Sequence, residues 1–522
     1  MGSTMDKRRF SLNLVGQIAA FFLTVGVSFF VSPYIISSLG NEAYGFVNLV
    51  NTFVSYISVI TVALNGMCGR YITISYHDNK LEDANEYFSS VFLANLVLSI
   101  ISVVLSVFLV SSVELLLDIP ESLVKDVKVT IFLSFLNFAI SLNGVVFGLS
   151  TFITNRLYIS SAQNIIGKVL YTLIIAVVFF CFKPRIWFLA VASIGASIFS
   201  LATGVVLTRK LTPNLSLDIG KYNKNKVVEI IKSGIWMSIE SLNKLLQTGF
   251  DLLITNLFVG PNPMGVLAIA KTMPNMLTSL NATVAGIYSP NYAKLYAENR
   301  INSLAESLKS SIRFLTFFMS VPLMGFLVFG ERFYTLWLPL KSQEEIHLIQ
   351  ILSVFTVLPL VLNSHVEGLY YINVLLNKVK ISVLVTTAFS VASIVTTIVL
   401  LALTDGYDLY IVAGVSSVYM VLRIIVFTPI YCASILHLPR MYFYPTIIRG
   451  AIANSLVLLF FVLVRASIHT STWFALFLLA IAAGSIGYMI EFFICLSEGE
   501  KQSVKSILFA KVKKVFRNEG KN

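Results

Sequence analysis

Charged residues are scarce in this chain of 522 residues. Lysine, arginine, aspartate and glutamate together make up 12% of the sequence, whereas hydrophobic residues make up 57% and the mean hydropathy is +0.83. A soluble domain of this composition would expose large apolar patches to water. The composition therefore excludes a soluble globular protein and favours one that a bilayer solvates.

Residues that usually hold metals or disulfides are also few. The four cysteines and five histidines are scattered along the chain, and their spacing matches neither a metal site nor a disulfide framework. The Gly-x4-Gly-Lys-Ser/Thr phosphate loop is absent, and no loop is long enough for a soluble catalytic domain. The sequence thus predicts a protein that is not an enzyme and has no cofactor. Any transport would draw on an ion gradient, the membrane potential or the gradient of the substrate.

Long apolar runs dominate the chain. Because a helix needs roughly 20 apolar residues to cross the hydrocarbon core, we interpret about fourteen runs as transmembrane helices. The predicted fold class is an all-α polytopic membrane protein. The predicted helices lie at 10–32, 45–68, 87–110, 127–149, 159–182, 186–208, 230–258, 265–288, 309–330, 346–370, 380–403, 409–432, 444–464 and 472–495.

Basic residues indicate the orientation in the membrane. With the N-terminus in the cytoplasm, the cytoplasmic segments hold roughly four times as many lysines and arginines as the outer segments. Trp187, Trp337 and Trp473 fall at predicted outer ends, as expected for an interfacial aromatic belt. The net charge of +12 is then explained by cytoplasmic loops beside anionic lipid, so nucleic acid is not an expected partner. Both termini are predicted to be cytoplasmic.

A weak internal repeat with an offset of 220 residues divides the chain. Six helices per copy would insert both copies the same way up, as two parallel lobes with a cleft between them, which is how many transporters are built. The repeat is carried by Leu39–Gly45 and Val259–Gly265, by Asn79-Lys80 and Asn299-Arg300, and by Gly148-Leu149 and Gly368-Leu369. The predicted domains are an N-terminal lobe at 1–208, a cytoplasmic linker at 209–229, a C-terminal lobe at 230–432, two extra helices at 433–495 and a basic cytoplasmic tail at 496–522.

Predicted helix 7 carries the most unusual residues. At about 100° per residue, its polar side chains fall in one narrow stripe. An ionised side chain facing lipid at bilayer depth costs on the order of 3 kcal/mol or more, so this stripe is expected to face protein or water. The stripe consists of Ser233, Glu240, Lys244, Gln247, Asp251 and Thr255.

Two neighbouring segments add polar groups. Helix 1 has an uncharged stripe of similar spacing, formed by Asn13, Gln17, Thr24 and Ser28. Helix 8 carries Lys271, with Asn275 on the same side. Pro274 removes a backbone hydrogen bond nearby and is expected to kink this helix. Arg70 ends helix 2 on the cytoplasmic side, where it could meet an anionic head group. The simplest arrangement places these groups around a shared central cavity.

A purely structural interpretation stays open. Glu240 and Lys244 are spaced i, i+4 and could neutralise each other. Asp251 could pair with Lys271 across helices 7 and 8, and Arg70 could be a positive-inside anchor. The Gly144–Gly148 pair has GxxxG spacing, which favours close helix packing over a ligand site.

Two motifs flank the first helix of each repeat copy. They are Leu39-Gly40-x-x-Ala43-Tyr44-Gly45 and Phe250-Asp251-Leu-Leu-Ile-Thr255-x4-Gly260-x4-Gly265-x4-Ala270. They resemble motifs of the bacterial polysaccharide exporters, the lipid-linked oligosaccharide flippases related to the multidrug and toxic-compound extrusion (MATE) transporters. The resemblance spans helices 1–12. Leu252 stands where many members have arginine, and the two extra helices are similar to those of the peptidoglycan lipid II flippase.

The resemblance implies a V-shaped pair of six-helix lobes that alternates between inward- and outward-open states. The implied cargo is a polyprenyl-pyrophosphate-linked oligosaccharide for O-antigen, capsule or exopolysaccharide synthesis, moved across the bacterial cytoplasmic membrane. Its implied site residues are Lys244, Lys271 and Arg70 for the pyrophosphate, Asn13, Gln17, Gln247 and Asn275 for the sugar, and Glu240 and Asp251 for a coupling proton or sodium ion.

The remaining expectations concern partners and rival functions. Besides its lipid-linked substrate and the bilayer, polysaccharide polymerase or assembly proteins are candidate partners, and a monomer is expected. An ion-coupled drug or metabolite exporter of the same fold and a lipid II flippase are the alternative functions. A membrane-embedded polymerase or ligase is disfavoured, because the outer loops near 111–126 and 331–345 show no recognisable catalytic constellation.

Overall fold

A computed structural model describes residues 2–502 of this chain, except residues 249, 377, 405 and 469. For residues 2–11, 14, 18, 244, 246–248, 290 and 297 it describes the backbone alone. Within these limits the regular structure is entirely helical.

The first half of the chain contains long helices joined by short turns. The helices are α1 (Gly2–Leu39), α2 (Asn41–His77), α3 (Leu81–Leu116), α4 (Glu121–Ile153), α5 (Leu157–Cys181) and α6 (Trp187–Leu211), followed by a 3₁₀ turn at Ile219–Lys221. The second half is more interrupted. Its helices are α7 (Lys224–Thr248), α8 (Phe250–Phe258), α9 (Pro261–Gly286), α10 (Ser289–Ala297), α11 (Ile301–Trp337), α12 (Gln343–Ser364), α13 (Glu367–Leu375), α14 (Val379–Leu403), α15 (Asp408–Leu422), a π-helical turn at Arg423–Phe427, α16 (Thr428–Ile435), α17 (Tyr444–Ser467) and α18 (Trp473–Ile494).

Twelve helices in the described part of the chain are long and apolar enough to cross a membrane. They correspond to predicted helices 1–6 and 9–14. Predicted helices 7 and 8 are helical too, as α7–α8 and α9, but these segments are not among the twelve.

The chain divides into two compact units. Unit 1 comprises Met1–Ile269 and Ile398–Val412, and unit 2 comprises Ala270–Thr397 and the described residues from Ala413 onward. In this division α7, α8 and the start of α9 belong with α1–α6, whereas the repeat assigns them to the second half.

The backbone repeats the same turn in both halves of the chain. Asn79 follows α2 with φ +58°, and Asn299 follows α10 with φ +54°. In each turn the asparagine N–H bonds three residues back and the next N–H bonds five residues back. Gly40 and Gly260 also share a positive φ, at +85° and +126°. The residues that carry the sequence repeat therefore carry a structural repeat.

Two equivalent glycines of the repeat meet inside unit 1. Gly45 of α2 and Gly265 of α9 are packed so closely that a Cβ on Gly45 would lie 2.8 Å from the Gly265 Cα. A Cβ on Gly265 would collide with the Asn41 carbonyl. The two helix starts cross here because neither glycine has a side chain.

The predicted linker at 209–229 is attached to the first turns of α3. Hydroxyls of Ser89 and Ser90 accept the backbone N–H groups of Asp218 and Asn223 at 3.0 and 2.8 Å. The Lys226 ammonium donates to Asp83 at 2.9 Å. Burial by itself would lower the pKa of Lys226, but the bond to Asp83 raises it above its usual value. The connection is therefore a structured strap along α3.

Unit 2 contains four prolines whose missing N–H groups leave a carbonyl unpaired four residues earlier. Each of these carbonyls accepts a side-chain hydroxyl from elsewhere in the unit. The pairs are Ser353 and Tyr334 with Ala270 (Pro274), Tyr488 with Phe318 (Pro322), Ser417 with Phe355 (Pro359), and Tyr444 with Ile425 (Pro429). Backbone groups at membrane depth must find protein partners, and these hydroxyls supply them.

Candidate substrate-binding site

α7 is described up to Thr248 and α8 from Phe250, and residue 249 between them lies outside the described residues. The continuity of the predicted helix 7 stripe from Glu240 to Asp251 therefore stays a prediction. Glu240 is exposed, whereas Asp251 is 7% exposed and Thr255 is fully buried. Thr255 donates its hydroxyl to the Asp251 carbonyl at 2.7 Å. The side chains of Lys244 and Gln247 lie outside the described residues, so their predicted roles stay predictions.

Small residues attach α7 to α2. A Cβ on Gly234 would collide with the Ala63 carbonyl, so the two helices touch backbone to backbone. One turn later, the Ser238 hydroxyl donates to the Val59 carbonyl at 2.6 Å and accepts from the Ala63 N–H at 2.8 Å. It therefore joins two groups that a helix normally pairs with each other.

This attachment orients the remaining part of α7. Glu240 follows Ser238 by two residues, about 200° round the helix. It therefore points away from α2, which agrees with its exposure. Because an ionised group facing lipid is costly, the exposed side of α7 is expected to face water or cargo.

The two predicted site residues of α1 have different environments. Asn13 is 7% exposed; its amide donates to the Asn155 side chain at 3.0 Å, and its side-chain oxygen accepts from the Tyr158 N–H at 3.0 Å. It thus connects α1 to the turn between α4 and α5. Gln17 is exposed, one turn further along α1.

Lys271 follows the first of the hydroxyl-capped carbonyls in unit 2. The Ala270 carbonyl, freed by Pro274, accepts the Ser353 hydroxyl at 2.8 Å and the Tyr334 hydroxyl at 3.4 Å. Lys271 is 8% exposed, and Asn275, one turn later, is exposed. The predicted consequence of Pro274, a lost backbone hydrogen bond, is present and is repaired by neighbouring helices.

The predicted site residues are distributed over both units. Unit 1 contains Asn13, Gln17, Arg70, Glu240 and Asp251, with Arg70 exposed near the end of α2. Unit 2 contains Lys271 and Asn275. Glu240, Asp251 and Lys271 each have an interaction partner, so the structural interpretation of these charges stays open beside the functional one.

A polar cavity of about 570 Å³ lies inside unit 1. Its walls come from α1, α4, α5 and α6, all of which are long and apolar enough to span a membrane. We call it the α5 cavity. It is lined by Thr24, Ser141, Gly144, Val145, Gly148, Ser160, Gln163, Asn164, Gly167, Lys168, Tyr171, Ser193, Ala196, Ser197, Ser200, Leu201 and Gly204.

Hydroxyl and amide groups dominate the polar lining of the α5 cavity. Ser141 and Ser197 hydroxyls lie 2.9 Å apart, and the Gln163 amide donates to Thr203 at 2.7 Å. Asn164 and Ser200 are exposed. Such groups complement the hydroxyls of a sugar, and they would be poorly placed against lipid tails.

Sequence reasoning missed most of this cavity. Six α5 residues at positions 160, 163, 164, 167, 168 and 171 line it, and this spacing of three and four is a helical face visible in the sequence. Thr24 of the predicted helix 1 stripe does line it. Gly144 and Gly148 line it as well, and a Cβ on Gly148 would meet nothing within 4 Å. A Cβ on Gly144 would lie 3.9 Å from Leu201 of α6, so the pair borders the cavity and also lies against a neighbouring helix.

The described residues contain no group of three or more histidines, cysteines, aspartates or glutamates that could hold a metal ion. The chemistry available at the α5 cavity is therefore that of hydrogen bonding and of one ammonium group, Lys168.

Comparisons with known proteins agree with this architecture. A family model described as polysaccharide biosynthesis protein matches residues 13–290. Over 429 residues the chain is 27% identical to the uncharacterized membrane protein EpsK of Bacillus subtilis (strain 168), covering 82% of this chain and 84% of that protein.

Solved transporter structures share the fold at low sequence identity. The lipid II flippase MurJ, in an inward closed conformation, matches with a TM-score of 0.64 at 12% identity and covers 92% of this chain and 97% of its own. An inward-facing MATE multidrug transporter of the MOP superfamily matches with a TM-score of 0.62 at 13% identity, covering 82% and 97%. The family match extends over more than half of the sequence, and the chain, a multi-pass membrane protein, therefore belongs to the polysaccharide biosynthesis protein family.

Proposed function

We propose that this protein moves a polyprenyl-pyrophosphate-linked oligosaccharide from the inner to the outer leaflet of a bacterial cytoplasmic membrane by alternating access. The observation that carries the proposal is the α5 cavity, a hydroxyl- and amide-lined space among helices that can span a membrane. A glycan cannot cross hydrocarbon unaided, because each unpaired hydroxyl would cost several kcal/mol. A polar space inside the bundle removes that cost, while the lipid tail stays in the bilayer.

The family match supports this substrate class, since its description is polysaccharide biosynthesis. The likeness to MurJ and MATE structures supports translocation as the activity, although it concerns the fold alone. In the proposal, the predicted cations Lys244, Lys271 and Arg70 attract the pyrophosphate, and Glu240 and Asp251 bind the coupling proton or sodium ion. Gln17, Gln247 and Asn275 bind sugar hydroxyls, whereas the hydrogen bonds of Asn13 favour a structural role for that residue.

The test is transbilayer movement in reconstituted liposomes. A fluorescent polyprenyl-pyrophosphate oligosaccharide is placed in both leaflets, and a membrane-impermeant quencher reports how fast inner-leaflet label reaches the outer leaflet. We expect the protein to accelerate this movement, and proton or sodium gradients to change its rate. Equal rates with and without protein, under every gradient, would contradict the proposal. Faster export of a rhodamine dye than of the glycolipid would favour the drug-exporter alternative.

A matched pair of variants connects the activity to the cavity. Gly148→Leu places a side chain in the α5 cavity, and its Cβ meets no neighbouring atom within 4 Å, so the fold should tolerate it. Gly26→Leu on α1 is equally unobstructed at Cβ, and Gly26 does not line the cavity. We expect Gly148→Leu to slow glycolipid movement strongly and Gly26→Leu to leave it near the wild-type rate.

A further inference from the structure

We propose that Lys168 is the anion-binding residue of the α5 cavity and that it recognises a negatively charged oxygen group on the hydroxylated cargo. This inference deepens the proposed function, because it rests on a glycan as the ligand of the cavity. It assigns a role to a residue that the sequence analysis did not single out.

The position of Lys168 makes its charge unusual. It is the twelfth residue of α5, which has 25 residues and is one of the candidate membrane spans, so it lies near the middle of the helix. An ammonium group at that depth is costly unless it faces water, a counter-charge or a ligand. Membrane-embedded cations of this kind are functional-site candidates for that reason.

The surroundings of Lys168 supply a ring but not a counter-charge. Its ammonium nitrogen lies 4.7 Å from the centre of the Tyr171 ring. Within the described part of the chain, no ion pair to an aspartate or glutamate involves Lys168, whereas Lys226 and Lys128 each have a carboxylate partner. A cation–π contact offsets only part of the desolvation of an ammonium group. The site thus lacks an anion, and the remaining lining residues are neutral.

The lining defines the chemistry of the missing anion. Gln163, Asn164 and the serines of α4 and α6 offer hydrogen bonds to hydroxyls, and Lys168 offers one positive charge as a compact point donor. The complementary ligand is a hydroxylated ring that carries an anionic oxygen group. Two parts of the proposed cargo have this chemistry, an acidic sugar with a carboxylate and the pyrophosphate next to the first sugar.

Equilibrium binding of soluble probes to the full chain in phosphatidylcholine nanodiscs tests the assignment. The probes are a disaccharide with one uronic acid, its neutral hexose counterpart, and inorganic pyrophosphate. We expect the wild type to bind at least one anionic probe more tightly than the neutral disaccharide. Loss of a charged hydrogen bond should weaken that probe by roughly tenfold or more in Lys168→Gln, with the neutral probe little changed.

Control variants separate the charge from the fold. Lys168→Arg keeps the positive charge and should retain preference for the anionic probe. Lys183→Gln removes an exposed lysine that does not line the cavity and should change nothing. Selective weakening of the uronic acid probe identifies the acidic sugar as the ligand, and selective weakening of pyrophosphate identifies the carrier head group.

The assignment is overturned if wild type shows no preference for either anionic probe, or if Lys168→Gln keeps wild-type affinities and thermal stability. The first criterion needs no variant, so it holds even if Lys168→Gln fails to fold. Liposome flipping is measured separately. Lys168-dependent anion binding without flipping would support the site and refute the proposed function. Flipping without Lys168-dependent binding would support the proposed function and refute the assignment of Lys168.

Discussion

The two units keep their helices together by different means. In unit 1, helices approach until backbones touch, at Gly45 and Gly265 and again at Gly234 and Ala63. In unit 2, prolines interrupt the helical hydrogen bonds, and hydroxyls from other helices pair with the freed carbonyls. These contacts of unit 1 therefore require that a side chain is missing, whereas those of unit 2 require a particular side-chain hydroxyl.

The difference matters because both units contain residues of the same sequence repeat. The turns at Asn79 and Asn299 have kept the same left-handed geometry. The interiors have not kept the same chemistry: helices of unit 1 line the α5 cavity, whereas the proline-capping hydroxyls belong to unit 2. Turns preserve a repeat because few residues adopt a positive φ, while interior polar groups are free to change with the ligand or partner they serve.

The largest effect is expected where backbones touch. Gly234→Ala would drive a Cβ into the Ala63 carbonyl, so α7 and α2 must separate. Overpacking of this kind costs about 1–3 kcal/mol. Equilibrium unfolding in mixed micelles should show this loss, and Gly26→Ala, where nothing lies within 4 Å, should show none. Equal stability of the two variants would refute the close approach.

A smaller effect is expected from the capping hydroxyls of unit 2. Tyr488→Phe removes the donor that lies 3.2 Å from the Phe318 carbonyl, at a cost of about 1 kcal/mol. Pro322→Ala restores a backbone N–H for that carbonyl. The cost of Tyr488→Phe should therefore shrink in the Pro322→Ala background. An unchanged cost in this double-mutant cycle would show that the hydroxyl does not serve the proline.

The corresponding hydroxyl of unit 1 should matter less. Ser238→Ala removes a hydroxyl between the Val59 carbonyl and the Ala63 N–H, but these two groups can then pair with each other within α2. We expect a loss of about 0.5 kcal/mol or less in the same unfolding assay. A loss as large as that of Tyr488→Phe would mean that α2 cannot close its own hydrogen bond.

The smallest effect concerns pH. Burial opposes ionisation of Glu500, but the Arg313 guanidinium, bound at 2.8 and 2.9 Å, together with Ser310, lowers the pKa of that carboxyl below its usual value. A carboxyl whose pKa is lower in the folded state than in the unfolded chain stabilises the folded state at pH values above its unfolded pKa. This contribution should therefore be present at neutral pH and be lost as pH falls below about 4.

The stability difference between wild type and Glu500→Gln measures this contribution. The difference should be constant from pH 7 to about pH 5 and should disappear in more acidic buffer. A difference that persists in acid would exclude the ionised carboxylate as its source.

Much of the fold was predictable from the sequence because it follows from local composition. Apolar length predicted the membrane-spanning helices, and the recurrence of Asn79 at Asn299 predicted a repeat that the backbone geometry bears out. Pro274 predicted a missing hydrogen bond. The continuous stripe from Glu240 to Asp251 stays a prediction, because residue 249 between α7 and α8 lies outside the described residues.

The sequence by itself determined that hydrocarbon surrounds the protein and that its backbone is helical. Hydrocarbon requires long apolar helices whose backbone groups are paired internally, and the composition of each segment shows that this requirement is met. Only the tertiary structure decided which hydroxyl repairs each proline and which small residues touch. It also decided that α5 and its Lys168 line a cavity with α1, α4 and α6. These contacts join atoms that are distant in the sequence, and a sequence pattern does not give the distances between such atoms.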